Sequence, residues 1–243
     1  MKSARVLVGI AAAWLAVASA AAQMPDKFTN LKVLPKEIGK RELTDVMRGF
    51  SSALGVRCDH CHMESEKGDD FATDDLEPKK IARSMMKMTQ DLNAKLPTVT
   101  GRPSPLEVRC VTCHRGLAKP EGLDQVLAGV AEKEGVGAVA AKYKELREKY
   151  YGSGSYDFGP QTLNDLARRQ AEQKKDLDGA IALAKLNIEY NPKAAASHVI
   201  LGQFYVAKGD KDAALASVKR ALEIDPANRF AKQALERLQA PPK

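Results

Sequence analysis

After its first 22 residues the sequence has no apolar run long enough to cross a membrane, so no integral membrane segment is expected in the body of the chain. Basic residues form no clusters either. The formal charge of +7 falls to about +5 once Lys2 and Arg5 are set aside, and the remainder is spread through mixed-sign stretches, so nucleic acid is not implied as a partner. No strand–helix–strand pattern surrounds the cysteines, as a thioredoxin-like pair would need. The acidic stretch from Glu64 to Glu77 has no calcium-loop spacing and, with Gly68 inside it, reads as a solvated loop. Cysteine and histidine are scarce, at 4 residues each in 243. With 44% apolar residues, the chain can still fold as one or two globular domains.

The N-terminus reads as an export signal. Lys2 and Arg5 make a positive start, Val6 to Val17 an apolar core, and Ala18-Ser19-Ala20 and Ala20-Ala21-Ala22 meet the small-x-small cleavage rule. Residues 1–22 are therefore predicted to be removed near Gln23, leaving a soluble protein in the periplasm. No cysteine follows the cut to carry a lipid anchor.

All four cysteines lie in two C-x-x-C pairs, Cys58-Asp59-His60-Cys61-His62 and Cys110-Val111-Thr112-Cys113-His114, each followed directly by histidine. That spacing is what covalent haem attachment requires: each thiol adds to one vinyl group, and the next residue, His62 or His114, is tethered beneath the iron as its proximal ligand. Two zinc knuckles would match the sulfur count but would not call for histidine at both equivalent positions. A disulfide framework also leaves the histidines unexplained. Two haem c groups are therefore expected, on Cys58 and Cys61 and on Cys110 and Cys113. Leu54-Gly55-Val56-Arg57 before the first site is echoed by Leu106-Glu107-Val108-Arg109 before the second, as in a duplicated unit. Arg57 and Arg109 are candidates to pair with haem propionates.

Histidine scarcity limits the sixth iron ligand. His60 lies too close to its own cysteines to reach the opposite haem face, and His198 belongs to a distant helical repeat, which leaves methionine thioethers. Leu43, Val46, Met47, Phe50 and Leu54 recur at i, i+3, i+4, i+7 and i+11, predicting an amphipathic helix over Arg41–Leu54 that stops at Gly55. Met47 on its stripe is the first distal candidate. A second helix is predicted from Pro78 to Pro97, with Ile81, Met85, Met88 and Leu92 on one face and Met86 off it. This spacing leaves Met85 and Met88 both open for the second haem.

The helix–turn–C-x-x-C-H unit, used twice with methionine on the preceding helix, resembles the cytochrome subunit of photosynthetic reaction centres and its non-photosynthetic relatives. The resemblance runs from about Met24 to Gly116. It is strongest at Val46-Met47-Arg48, Leu54 to Cys58, Ala82-Arg83-Ser84-Met85-Met86-Lys87-Met88 and Thr112-Cys113-His114-Arg115-Gly116. In that family each low-spin haem usually takes histidine from the motif and methionine from the helix before it. Its Ala-Arg-x-Met pattern falls on Ala82 to Met85, which implies Met85 rather than Met88. The family's reaction-centre subunit carries four haems and this chain has motifs for two, followed by a helical tail.

Gly116 to Gly122 is punctuated by glycine and proline, and Leu123 to Tyr150 predicts two helices broken around Gly135-Val136-Gly137. Farther on a 34-residue period links Asp178 to Asp212, Ala180 to Ala214 and Asn191-Pro192 to Asp225-Pro226, the mark of a tetratricopeptide-like array closed by a helix over Arg229–Leu238. His198 takes the place usually held by a large aromatic and reads as a packing residue. The expected architecture is all-α: signal 1–22, dihaem cytochrome c domain 23–120, helical-repeat domain 121–243. The expected function is single-electron transfer between redox partner proteins, with the array as a docking surface, rather than catalysis. A dihaem peroxidase is the alternative, and it would need one iron with an exchangeable sixth site.

Overall fold

The computed structural model describes residues 27–63, 71–103 and 106–240, in which every regular element is helical. The predicted signal and its cleavage point lie outside the described residues. The described residues pack as two compact units: those up to Gly49 with Arg57–Leu106, and Phe50–Val56 with those from Glu107 onward. No helix among them is long and apolar enough to cross a membrane.

Helix α1 (Lys40–Leu54) contributes to both units and carries the predicted stripe: Leu43 is buried, and Val46, Met47, Phe50 and Leu54 are half-buried. Glu42 in its first turn complements the helix dipole. Its end is a Schellman motif, with Gly55 left-handed at φ 66° and the Val56 N–H donating to Ser51 O at 3.1 Å.

In the first unit α2 (Glu77–Thr100) begins with Pro78 in its first turn, as expected, but continues through Pro97 to Gly101, which caps it at φ 64°. Pro97 lies in the last turn and, having no N–H, gives up one helical hydrogen bond there, while Thr100 Oγ1 donates to Leu96 O at 2.6 Å. The helix turns its other face inward: Ala82, Arg83, Met86, Thr89, Asn93 and Leu96 are half-buried, whereas Ile81, Met85, Met88 and Leu92 are 37–54% exposed. The unit's buried apolar side chains, among the described residues, are Ile38 and Leu43.

The second unit holds a short helix α3 (Cys110–His114) and then α4 (Leu123–Glu134), α5 (Val136–Tyr150), α6 (Pro160–Gln173), α7 (Leu177–Tyr190), α8 (Ala195–Lys208), α9 (Lys211–Ile224) and α10 (Arg229–Gln239). The break between α4 and α5 falls at Gly135, whose φ of 86° few other residues adopt. The 34-residue period appears in the caps: Asp176 accepts from Gly179 N at 2.9 Å and Asp210 from Ala213 N at 3.0 Å, with Asn228 repeating the device at Ala231 N. One core joins α4 to α8 through Leu127, Tyr143, Leu163, Leu183 and Phe204, and a smaller one joins α8 to α10 through Val199, Val218, Ala221 and Ala231. Gly202 lets α8 press on α9, since a Cβ there would stand 3.0 Å from Val218 Cγ2. The core is not wholly apolar: Asn187 Nδ2 lies 2.7 Å from Asn164 Oδ1, 2.8 Å from Pro160 O and 3.0 Å from Ser197 Oγ, three acceptors for two protons.

His198 is buried on α8 at 8% exposure, and its Nε2 has no hydrogen-bond partner among the described residues. Burial, aided by Arg220, pulls its pKa below the ordinary histidine value, against the opposing pull of Pro192 O and Glu223. The folded array thus favours the neutral ring, while the unfolded chain gains a proton as pH falls past about 6.5, so stability is lost on acidification below that point. Replacing His198 by Phe removes both the orphaned nitrogen and the titration. It is expected to stabilise the protein by about 1 kcal/mol at neutral pH and to flatten its loss of thermal stability between about pH 7 and 5, as read by calorimetry.

Candidate functional site

The first motif folds as a single 3-10 turn, Cys58–His60, entered from extended backbone at Arg57 and closed by the His62 N–H on Cys58 O at 3.0 Å. This places Cys58 in the open and Cys61 half-buried, both as free thiols. Burial pushes the Cys61 thiol above its ordinary pKa, against the pull of the Lys79 ammonium. The half-buried His62 ring meets Phe71 edge-on at 5.0 Å between centroids. Arg57 is exposed and pairs with Asp59 at 3.5 Å.

Phe71 is held by a polar hub that the sequence does not announce. Lys79 Nζ donates to Phe71 O at 2.8 Å and to Thr73 O at 2.5 Å. Asp74 accepts from Arg83 Nη1 and Asn30 Nδ2, each at 2.7 Å, and pairs with Lys32, while Arg83 Nη2 reaches Asn30 O at 3.0 Å. The Lys32 hydrogen bond, reinforced by Arg83 and Asn30, holds the Asp74 carboxyl well below the usual carboxylate range. The expectation of a solvated acidic loop therefore needs amendment at Asp74, which ties α2 and the segment around Asn30 to the strap carrying Phe71. The Glu64–Asp70 part of that loop lies outside the described residues.

The second motif forms α3. Its Arg109 N–H donates to Thr112 Oγ1 at 3.0 Å, which fixes the entry of the helix, and Cys110 is half-buried while Cys113 is exposed. His114 is buried, and its Nδ1 lies 2.8 Å from Leu117 O. A carbonyl only accepts, so Nδ1 carries the ring proton and Nε2 keeps its lone pair. The chain reverses after His114 through two left-handed residues, Arg115 at φ 47° and Gly116 at φ 83°. That turn is pinned by the Gly116 N–H on Ala53 O at 2.8 Å and by Ser155 Oγ on Arg115 O at 2.6 Å.

The methionines are placed differently. Met47 is half-buried on α1, whereas Met85 and Met88 both stand on the outward apolar face of α2, and Met86 faces inward. His60 is exposed within the first turn, and His198 is enclosed in the array. Among the described residues no three His, Cys, Asp or Glu side chains converge as a metal ion would require.

A family model described as the photosynthetic reaction centre cytochrome C subunit matches residues 7–176. This chain belongs to that family. The match runs past both C-x-x-C-H motifs and through α6, and a tetratricopeptide repeat model matches residues 195–228, which span α8 and α9. Cytochrome c-554 of Chloroflexus aurantiacus is 34% identical over 89 residues, covering 35% of this chain and 20% of that protein, so the chain spans about a fifth of its relative's length. Among solved structures, the first tetratricopeptide domain of Spaghetti (RPAP3) bound to an HSP90 peptide gives a TM-score of 0.33 at 16% identity, over 48% of this chain and 86% of that one.

Membership of the reaction centre cytochrome c family implies haem c, and the residues fit it. Four free thiols occur in two correctly spaced pairs, each pair with one open and one half-buried sulfur. The His114 ring is oriented and keeps one nitrogen as a donor. The outward stripe from Ile81 to Leu92 is the kind of apolar face that a flat porphyrin covers better than water does.

Sequence reasoning missed Asp74, Ser155 and the Gly55–Gly116 contact. Gly55 offered a signal, but only as a helix stop; the fold adds that a Cβ there would overlap the Gly116 carbonyl. Gly55→Ala therefore combines a left-handed backbone with a clash against the turn behind His114, and is expected to cost on the order of 2–3 kcal/mol, measured as a fall in the unfolding midpoint.

Proposed function

We propose that this protein is a periplasmic electron carrier with two covalently attached haems, exchanging single electrons with redox partner proteins rather than catalysing a reaction. The observation that carries the reading is the second C-x-x-C-H motif, with its buried histidine held by the ring N–H on a backbone carbonyl within a chain of the reaction centre cytochrome c family. The paired motif at Cys58 to His62 supports the count of two.

Haem iron, when bound, supplies a one-electron ferric–ferrous couple. The protein's part is attachment, orientation and tuning. Cys58 and Cys61, and Cys110 and Cys113, hold the two groups by thioether bonds. His62 and His114 would each supply an imidazole nitrogen to the iron. A ring N–H bonded to a carbonyl makes His114 the more basic donor, which favours the ferric state. Met47 for the first haem and Met85 for the second complete the ligand sets, with Met88 the alternative to Met85; a thioether favours the ferrous state. Opposed effects of this kind are how a protein sets a potential.

The N-terminal signal pattern supports export to the periplasm. The helical array, with its tetratricopeptide match, supports a docking role for a protein partner.

Two measurements test this. The intact mass of protein made in a host able to attach haem c, taken under denaturing conditions, is expected to equal the chain from near Gln23 plus two haems. Apoprotein mass, or a single haem, sinks the dihaem claim. Carbon monoxide should then leave the reduced spectrum nearly unchanged. Met47→Ala and Met85→Ala should each open one carbon monoxide site, and Met88→Ala none. A wild-type protein that binds carbon monoxide readily at one iron would favour the peroxidase reading instead.

A further inference from the structure

The peptide unit between Arg115 and Gly116 is held at both ends. Its carbonyl accepts from Ser155 Oγ at 2.6 Å and its N–H donates to Ala53 O at 2.8 Å, so the orientation of the amide plane is set from two sides. This plane lies between the two left-handed residues that turn the chain back beneath His114. The same turn carries Leu117 O, the acceptor of the imidazole proton, and the Leu117 N–H returns to His114 O at 2.8 Å. A left-handed non-glycine such as Arg115 is conformationally costly and persists only where its surroundings enforce it.

One of the two clamps comes from the helical array. Ser155 belongs to the glycine-punctuated turn between α5 and α6 and is 3% exposed. Its backbone N–H donates to Ser153 Oγ at 3.2 Å. Ser153 Oγ in turn lies 3.0 Å from Ser155 Oγ and 2.6 Å from Tyr150 O at the end of α5, with one proton to give between them. A buried hydroxyl positioned by its own neighbours and donating to a strained turn is more than a loop closure.

We propose that Ser155 is a positioning residue for the second haem: by clamping the Arg115–Gly116 peptide it keeps Leu117 O in line with the His114 ring N–H and so sets how strongly the imidazole donates to iron. The inference rests on the two-haem electron-carrier reading. Without the Ser155 hydroxyl, one end of the amide plane is free, the turn relaxes, and the ring N–H bond lengthens. A less polarised imidazole is a poorer donor to ferric iron, so the potential of that haem rises while the other haem, whose histidine has no part in this clamp, keeps its own.

The test is a spectroelectrochemical titration of the purified dihaem protein and its Ser155→Ala and Ser155→Thr variants. For Ser155→Ala one midpoint is expected to rise by about 59 mV, a tenfold gain in electron affinity for a one-electron couple, and the other to stay. Ser155→Thr, which keeps a hydroxyl, should return the wild-type pair of midpoints. In proton NMR of the reduced protein, the His114 ring N–H of Ser155→Ala should exchange faster with solvent. Where Ser155→Ala does not retain both haems, Ser153→Ala is read in the same way, because it leaves the clamping hydroxyl in place but unoriented. Unchanged midpoints, midpoints that move together, or no recovery with threonine would each overturn the proposal. Failure of the wild-type protein to carry two haems would instead refute the electron-carrier reading, and the denatured mass separates the two cases.

Discussion

The hydrogen bond from the His114 ring to Leu117 O is the contact around which the second site is arranged. A histidine can serve as an iron ligand only if one nitrogen keeps its lone pair and the ring points in a fixed direction, and a single carbonyl meets both needs. That carbonyl is delivered by a turn whose left-handed residues would not hold their conformation unaided. The end of α1 supports it from one side through Ala53, and the α5–α6 turn supports it from the other through Ser155. Gly55 is required here for two separate reasons, as the left-handed cap of α1 and as the only residue type that lets Gly116 come so close.

The two motifs show the same chemistry built by different means. The first is a 3-10 turn whose histidine packs on Phe71, and its surroundings are organised by charge: Asp74, Arg83, Lys79 and Lys32 fasten the strap to α2. The second is a short α-helix whose histidine is set by a hydrogen bond to a backbone carbonyl, in a unit that has a well-packed apolar core. In the first unit Ile38 and Leu43 are the buried apolar side chains among the described residues, and α2 buries none. The contrast is between a unit held largely by charged side chains and one that folds around its own leucines and tyrosines.

The helical array is more than an appendage under this view. Its core runs without interruption from α4 to α8, and the family match extends through α6, so the segment behind the second motif is continuous with the repeats in packing as well as in sequence. The turn behind His114 and the helical array belong to the same compact unit.

What the sequence determined by itself is everything carried by local spacing. Thiols three residues apart and a histidine next to the second can be recognised without a fold, because covalent attachment needs only neighbouring residues. The helices of the array were legible for a similar reason: a 34-residue period repeats one local helical pattern, and punctuating glycines act within one turn of the residues they affect. The tertiary structure decided what depends on residues far apart in the chain. It ran α2 through Pro97 and turned the Met85 and Met88 face outward, since helical periodicity defines a stripe but not what that stripe meets. It made Asp74 a hub rather than a loop charge. It brought Ser155 to a carbonyl 40 residues away, a contact no spacing rule reports, because a hydrogen bond between distant segments exists only once packing has brought donor and acceptor together.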